Sequence, residues 1–271
     1  MVALVTGASS GIGRDIARSL VKRGIKVIIT GRNKEKLTAL RDELGRNMTA
    51  AIVCDLSKEK TCFALYEKLR DKNIDILVNC AGFGKFGAFL DVPLEQELDE
   101  INVNIKAVHI LTKLFLRDFA KRDSGYILNV ASSAGFMPGP LFSTYYASKS
   151  YVVRLTHAIY EELRRMGSDV YVGVLCPGPV DTEFNKVAGA DFAISGMSSE
   201  YVAEYAVRKM FERKLTIIPG RLMQFCIPAV RFVPEKQLLR IVYHVQHSRL
   251  DKSTNRNCPP LRYKRISQTD G

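Results

Sequence analysis

From its first residues to about residue 220 the chain alternates short apolar, β-rich runs with longer segments of helical period, and few folds accept that order. Strands are predicted at 2–6, 26–30, 50–54, 75–79, 126–131, 170–175 and 214–218. Helical periodicity falls near 12–23, 33–44, 58–70, 94–121, 144–166 and 199–212. Repeated strand–helix–strand units imply a parallel sheet, and right-handed crossovers then place helices on both of its faces. The pattern and the length of 271 residues suit one large α/β domain over 1–220. Residues 183–197 break the rhythm with two glycines and weak periodicity, and are expected to form a mobile lid. No apolar run approaches the roughly 20 residues of a spanning helix. The six cysteines form no Cys-x-x-Cys pair, so neither a metal site nor a disulfide framework is indicated. With no basic-then-apolar leader, a cytoplasmic protein with reduced thiols is expected.

The chemistry begins directly after the first strand. Thr6-Gly-Ala-Ser-Ser-Gly-Ile-Gly13 leads straight into the helix that starts Arg14-Asp-Ile-Ala. Gly7 permits a tight turn, while Gly11 and Gly13 let backbone approach a pyrophosphate closely. Ser9, Ser10 and Ile12 complete this cradle, and the helix N-terminus offers free N–H groups to the anion. The second strand ends Thr30-Gly-Arg-Asn33, without the acidic residue that accepts from an adenosine ribose 2′-hydroxyl. A 2′-phosphate meets no repulsion there, and the Arg32 guanidinium can grip it through two hydrogen bonds. NADP(H) is therefore preferred over NAD(H), which stays the alternative cofactor. The plainer reading of Arg32 is a solvated surface arginine.

Tyr145 and Lys149 stand at i and i+4, on one face of a helix. A free phenol titrates near pH 10, too high for acid/base work at neutral pH, and a neighbouring ammonium favours its ionised form. Ser132 follows the apolar run Tyr126–Val130, at a strand's carboxyl end where such sheets bind ligands.

Together these pieces resemble the short-chain dehydrogenase/reductase family. Besides the glycine turn, Ser132 and Tyr145-x-x-x-Lys149, the matching residues are Asp55, Asn79-Cys-Ala-Gly82, Asn104 and Pro177-Gly178. They occur in the family's order, across roughly residues 1–220. The resemblance implies a Rossmann-type, doubly wound sheet of seven parallel strands in the order 3-2-1-4-5-6-7. It also implies hydride transfer between a nicotinamide and a carbonyl or secondary alcohol. Tyr145 would act as the acid/base, Ser132 would orient the substrate oxygen, and Lys149 would bind the nicotinamide ribose and lower the Tyr145 pKa. Asn104 would hold a water in a proton relay. Cofactor contacts are implied for Asp55 and Leu56, for Asn79, Ala81 and Gly82, and for Pro177, Gly178, Val180 and Thr182. Cys80 replaces the family's second asparagine in a segment that mainly supports the sheet. A homodimer or homotetramer through the helices near 94–121 and 144–166 is implied as well.

Two loops that should rim the crevice, 82–90 and 133–142, are rich in apolar side chains. Phe83, Phe136, Met137, Leu141 and Phe142 are the candidate substrate contacts. They suit a bulky hydrophobic carbonyl compound such as a 3-oxoacyl thioester or a hydroxysteroid. Part of this set would pack the loops onto the body instead. Residues 221–271 carry a net +7 of the chain's +12. Within the basic, amphipathic segment 221–250, Pro234 suits a helix start, and Leu238, Ile241, Val242 and Val245 share one stripe. This arrangement resembles the branch of the family called DltE-like. The stripe either lies on an anionic membrane, making the protein peripheral, or packs on the body or a partner subunit. Residues 251–271 are expected to be loose. No nucleic-acid-binding motif is present, and nucleic acid is not an expected partner. Rival readings are a cofactor-binding sensor or scaffold without turnover, and a sugar-nucleotide epimerase. The first has no use for a proton-donating phenol, and the second needs a large substrate domain absent from this chain.

Overall fold

The fold is taken from a computed structural model that describes residues 1–184, 188 and 196–253. The first half runs β1 (Val2–Thr6), α1 (Gly11–Lys22), β2 (Lys26–Gly31), α2 (Lys34–Leu44), β3 (Met48–Val53), α3 (Glu59–Leu69) and β4 (Ile76–Asn79). Next come α4 (Leu94–Ile101), a π-helical stretch (Asn102–Ala107), α5 (Val108–Lys121), β5 (Tyr126–Val130), α6 (Ser143–Arg165) and β6 (Tyr171–Leu175). Two short strands, β7 (Val180–Asp181) and β8 (Met197–Ser198), pair with each other. The chain continues through α7 (Ser199–Phe211), β9 (Thr216–Ile217), α8 (Arg221–Val230) and α9 (Glu235–Ser253).

The main sheet has seven strands, β3-β2-β1-β4-β5-β6-β9, each paired in parallel with its neighbours. This is the Rossmann-type order expected, with β9 as the seventh strand. Alternate side chains leave a strand on opposite faces, and here both faces are dry, so the strands read as unbroken apolar runs. Ala3, Val5, Val27 and Ile29 pack with Ile16, Leu20, Val202 and Ala206 of α1 and α7. Leu4, Ile28, Leu77 and Ile127 pack instead with Leu65, Leu111, Phe115 and Phe119 of α3 and α5. α1 and α7 are also tied by buried polar groups: Asp15 accepts from Ser199, from Arg14 at 3.1 Å and from Arg18 at 2.7 Å.

Two expectations fall partly outside the described residues. Of the predicted lid 183–197, only Glu183, Phe184, Ala188, Gly196 and Met197 are described. Of the predicted loose tail, 254–271 lie outside, while α9 runs on through Ser253, so residues 251–253 are helical rather than loose. Among the described residues no helix is long and apolar enough to cross a membrane, and no cluster of side chains could hold a metal ion.

Candidate active site

Every central strand of a parallel sheet ends on the same edge, so the loops that follow β1 to β6 converge there. They enclose a cavity of about 560 Å³. One end is built from backbone. Gly7 has φ +67°, and a Cβ on it would stand 2.7 Å from the Ala81 backbone. A Cβ on Gly13 would stand 2.5 Å from the Gly7 carbonyl oxygen, so the turn closes only with glycine at both positions. The Thr6 hydroxyl accepts from Cys80 N (3.0 Å) and Ala81 N (3.1 Å), which clamps the turn to the loop after β4. Ser10, the N-cap of α1, makes no side-chain cap, and the helix's leading N–H groups open onto the cavity. That end fits an anionic pyrophosphate.

Ser9, Ser10, Gly11, Ile12, Arg32, Asp55, Leu56, Ala81 and Gly82 also line the cavity. At Gly31 a Cβ would come within 3.2 Å of the Ser9 hydroxyl, so the strand end is empty of carboxylate and filled from the neighbouring turn. The Arg32 guanidinium is exposed, 5.8 Å from the centre of the Phe83 ring. On the opposite wall Pro177, Gly178, Val180 and Thr182 line the cavity, and the Thr182 methyl packs on Gly11.

Asn79 is not at the cavity. Its side chain is buried in the sheet, where its amide donates to Thr112 (3.0 Å) and Asn129 (2.9 Å). Asn129 in turn donates to Thr156 at 3.0 Å. These groups form a polar chain between β4, β5 and the helices, so Asn79 supports the sheet rather than a cofactor.

The reacting groups sit where β5 ends. Ser132 accepts from Ala134 N (3.1 Å), which fixes its hydroxyl, and it hydrogen-bonds the Tyr145 phenol. Tyr145 stacks on Phe142 at 4.5 Å and lies 5.3 Å from Phe184. A Cβ at Gly84 would collide with both Phe142 and Tyr145, so the chain presses flat on these rings. Lys149 is buried, gives a hydrogen bond to Val130 O (3.1 Å) and points its Nζ at the Tyr145 ring from 5.6 Å. Burial pushes the Tyr145 phenol well above its ordinary pKa, with the Ser132 hydrogen bond pulling the other way. Burial likewise pulls Lys149 down, opposed by the fields of Cys80 and Glu100.

Asn104 lies behind the cavity wall. Its amide clamps Phe83 from both sides, accepting from Phe83 N (3.1 Å) and donating to Phe83 O (2.8 Å), and it donates to Ser148 at 3.0 Å. The π-helical stretch turns it inward, a geometry found often at functional sites. Gly82 separates its Oδ1 from Lys149 Nζ: a Cβ there would stand 3.0 Å from one and 3.2 Å from the other.

Of the apolar candidates, Phe83, Met137 and Phe142 line the cavity. Phe136 and Leu141 do not. Phe136 packs under Val152 and Val153 of α6, and Leu141 is buried in left-handed backbone (φ +64°) with its carbonyl held by Gly87 N. Both serve the loop rather than the cavity.

The sequence reading missed the cavity's remaining wall. α8 and α9 fold back over it, contributing Met223, Ile227, Leu238, Val242 and Gln246. Met223 sits 3.0 Å from the Cβ position of Gly178, so the glycine leaves room for the helix. Gln246 is buried and donates to the Tyr146 hydroxyl at 2.5 Å, tying α9 to α6. Of the apolar stripe of α9, Leu238 and Val242 are buried against the cavity, while Ile241 and Val245 stand at its rim and stay largely exposed; the membrane-facing reading gains no support. The stripe itself was visible in sequence, but what it covers was not.

Residues 1–192 match the short chain dehydrogenase family, and the chain belongs to it. An uncharacterized oxidoreductase of Staphylococcus saprophyticus is 37% identical over 186 residues, covering 67% of this chain and 79% of that protein. The very-long-chain 3-oxoacyl-CoA reductase of Anas platyrhynchos is 35% identical over 201 residues, 70% of this chain but only 63% of the relative's length. A short-chain dehydrogenase from Sphingobium yanoikuyae, solved in complex with NADPH, superposes with a TM-score of 0.76 at 28% identity, covering 86% of this chain and 96% of that one.

Proposed function

We propose that this chain is an NADP(H)-dependent carbonyl reductase, acting on a hydrophobic ketone of the 3-oxoacyl or hydroxysteroid type. The observation that carries the reading is the meeting of Ser132, Tyr145 and Lys149 in one cavity with the uncapped N-terminus of α1. The NADPH complex of the structural neighbour supports the cofactor, as does a β2 end with arginine in place of a carboxylate. The pyrophosphate would rest on Gly11, Gly13 and the helix N-terminus, the 2′-phosphate near Ser9 and Arg32, and the adenine near Asp55 and Leu56. Lys149 would meet the nicotinamide ribose, and Val180 and Thr182 the carboxamide. Bound there, the cofactor supplies a hydride.

The protein's own task is the proton. Burial raises the Tyr145 pKa, opposite to the lowering expected, and keeps the phenol protonated at neutral pH; the Ser132 hydrogen bond pulls it back toward the range in which it can donate to a carbonyl oxygen. Ser132, fixed by Ala134 N, would hydrogen-bond the same oxygen. The positive Lys149 beside the ring would stabilise the phenolate left after transfer. Asn104 holds the Phe83 loop, with its Oδ1 accepting from Phe83 N on the side of Gly82 that faces Lys149, and would hold a relay water there. The apolar wall of Phe83, Phe142, Leu238 and Val242 supports a hydrophobic substrate, as does the likeness to the 3-oxoacyl-CoA reductase. Exposed Leu94, Leu98 and Tyr151 on α4 and α6 support a homo-oligomer.

The test is loss of NADPH absorbance against 3-oxoacyl thioesters, ketosteroids, small aldehydes and sugars. Tyr145→Phe is expected to lower kcat by about 10²- to 10⁴-fold while NADPH binding persists. Tight NADPH binding with no turnover of any carbonyl would instead favour a sensor.

A further inference from the structure

One buried acid beside this machinery has no part in the steps above. Glu100, on the last turn of α4, is wholly buried. Its Oε2 accepts from Lys85 N at 3.1 Å, in the loop that Asn104 clamps, and its Oε1 lies 3.5 Å from Asn104 Nδ2. The charged and titratable groups that face it come from two elements. Lys149 and Tyr145 stand on α6, Glu97 lies one turn earlier on α4, and the loop after β4 brings only the backbone N–H of Lys85. Glu97 is itself engaged by the Thr144 hydroxyl at 2.6 Å. Burying a carboxylate without a salt-bridge partner is costly, and a fold that needed only a loop clamp could use an amide there.

We propose that Glu100 is a positioning residue for the Tyr145–Lys149 pair, a buried carboxylate that holds the Phe83–Lys85 loop and, by gaining and losing its charge, sets the pH up to which Tyr145 keeps its proton and Lys149 its positive charge. The proposal rests on the reductase reading for its effect on turnover. The signs follow from the fields. An ionised Glu100 disfavours the Tyr145 phenolate and favours the Lys149 ammonium, so it raises the pKa of both. Burial pushes Glu100 up to about 7, with Lys85 N and Lys149 pulling it down. Its charge therefore appears as the pH rises through neutrality, ahead of the more alkaline range in which loss of the ammonium or of the phenolic proton would cost activity.

Glu100→Gln keeps an acceptor for Lys85 N and removes the charge. The alkaline limb of the reduction profile is expected to move about one pH unit lower, with the rate on the acid side changed by no more than a few-fold. Exposed Glu95→Gln should leave the profile in place. A Glu100→Gln profile that falls equally at every pH, or does not move, overturns the proposal and leaves Glu100 a structural clamp. A second readout needs neither the variant's folding nor turnover. Infrared spectra of the wild-type protein, with glutamate carboxyls isotope-labelled, should show a protonated carboxyl band that vanishes between about pH 6 and about pH 8. Absence of such a band in an active enzyme sinks the proposal. The band in a protein that reduces no carbonyl sinks the reductase reading and leaves the charge switch standing.

Discussion

The two ends of the cavity are made of different material. At the cofactor end the wall is backbone: glycines at 7, 11 and 13, the N-terminus of α1 and the turn 177–182. At the substrate end it is side chains, Met223, Leu238, Val242 and Gln246, delivered by α8 and α9. Backbone walls tolerate few residue types, because a Cβ at Gly7 or Gly13 collides with main chain that cannot move. A side-chain wall accepts many apolar residues of similar volume. One end is therefore fixed by the fold, while the other can be remade for a new substrate without disturbing the sheet.

The largest effect that would sharpen this comparison lies at Arg32, the charged one of the two side chains, with Ser9, proposed to meet the 2′-phosphate. Removing a guanidinium from a 2′-phosphate costs a charge-assisted hydrogen bond or two, so Arg32→Ala should reduce the preference for NADPH over NADH by about 10- to 100-fold. The ratio of kcat/KM for the two cofactors measures it. An unchanged ratio would return Arg32 to the solvated-arginine reading and leave Ser9 as the remaining 2′-phosphate contact.

How much of each end could be read from sequence follows the same division. Gly7, Gly11, Gly13 and the Tyr145/Lys149 pair declare themselves, because their chemistry depends on spacing along one strand–turn–helix or one helix face. Phe136 and Leu141 did not, since an apolar residue in a loop has the same letter whether it faces core or cavity. Asn79 resembled a cofactor contact, yet its neighbours in space, Thr112 and Asn129, are 33 and 50 residues away and turn it into the sheet. The α9 stripe announced a covered face without naming what it would cover, and only Leu238 and Val242 of it are buried. Glu100 was hidden in the acidic run Glu95, Glu97, Asp99, Glu100, which reads as a solvated face; only its four-residue spacing from Asn104 hinted otherwise.

A smaller effect tests the substrate end. Val242→Ala removes two methyl groups from the wall, at roughly 0.8 kcal/mol for each carbon buried against a ligand. KM for a long-chain or steroidal ketone should rise by up to about ten-fold, with NADPH affinity unchanged. A change in NADPH affinity of similar size would break the division between the two ends, because it would show α9 acting on the cofactor wall.

The smallest effect comes from the neighbour of the proton donor. Tyr145 and Tyr146 are adjacent, with ring centres 6.3 Å apart, yet they belong to different halves of the site. The first faces Ser132, and the second holds α9 through Gln246. Tyr146→Phe keeps the ring that packs on Gly139 and removes only the hydroxyl. The net worth of one such hydrogen bond is about 0.5–1.5 kcal/mol, so KM for the ketone should rise by a few-fold while kcat holds. The contrast with Tyr145→Phe, which should lose kcat and keep binding, assigns the two phenols separately. If Tyr146→Phe instead lowered kcat as far as Tyr145→Phe, then α9 would be setting the geometry of proton transfer, and the wall that looks replaceable would be part of the chemistry.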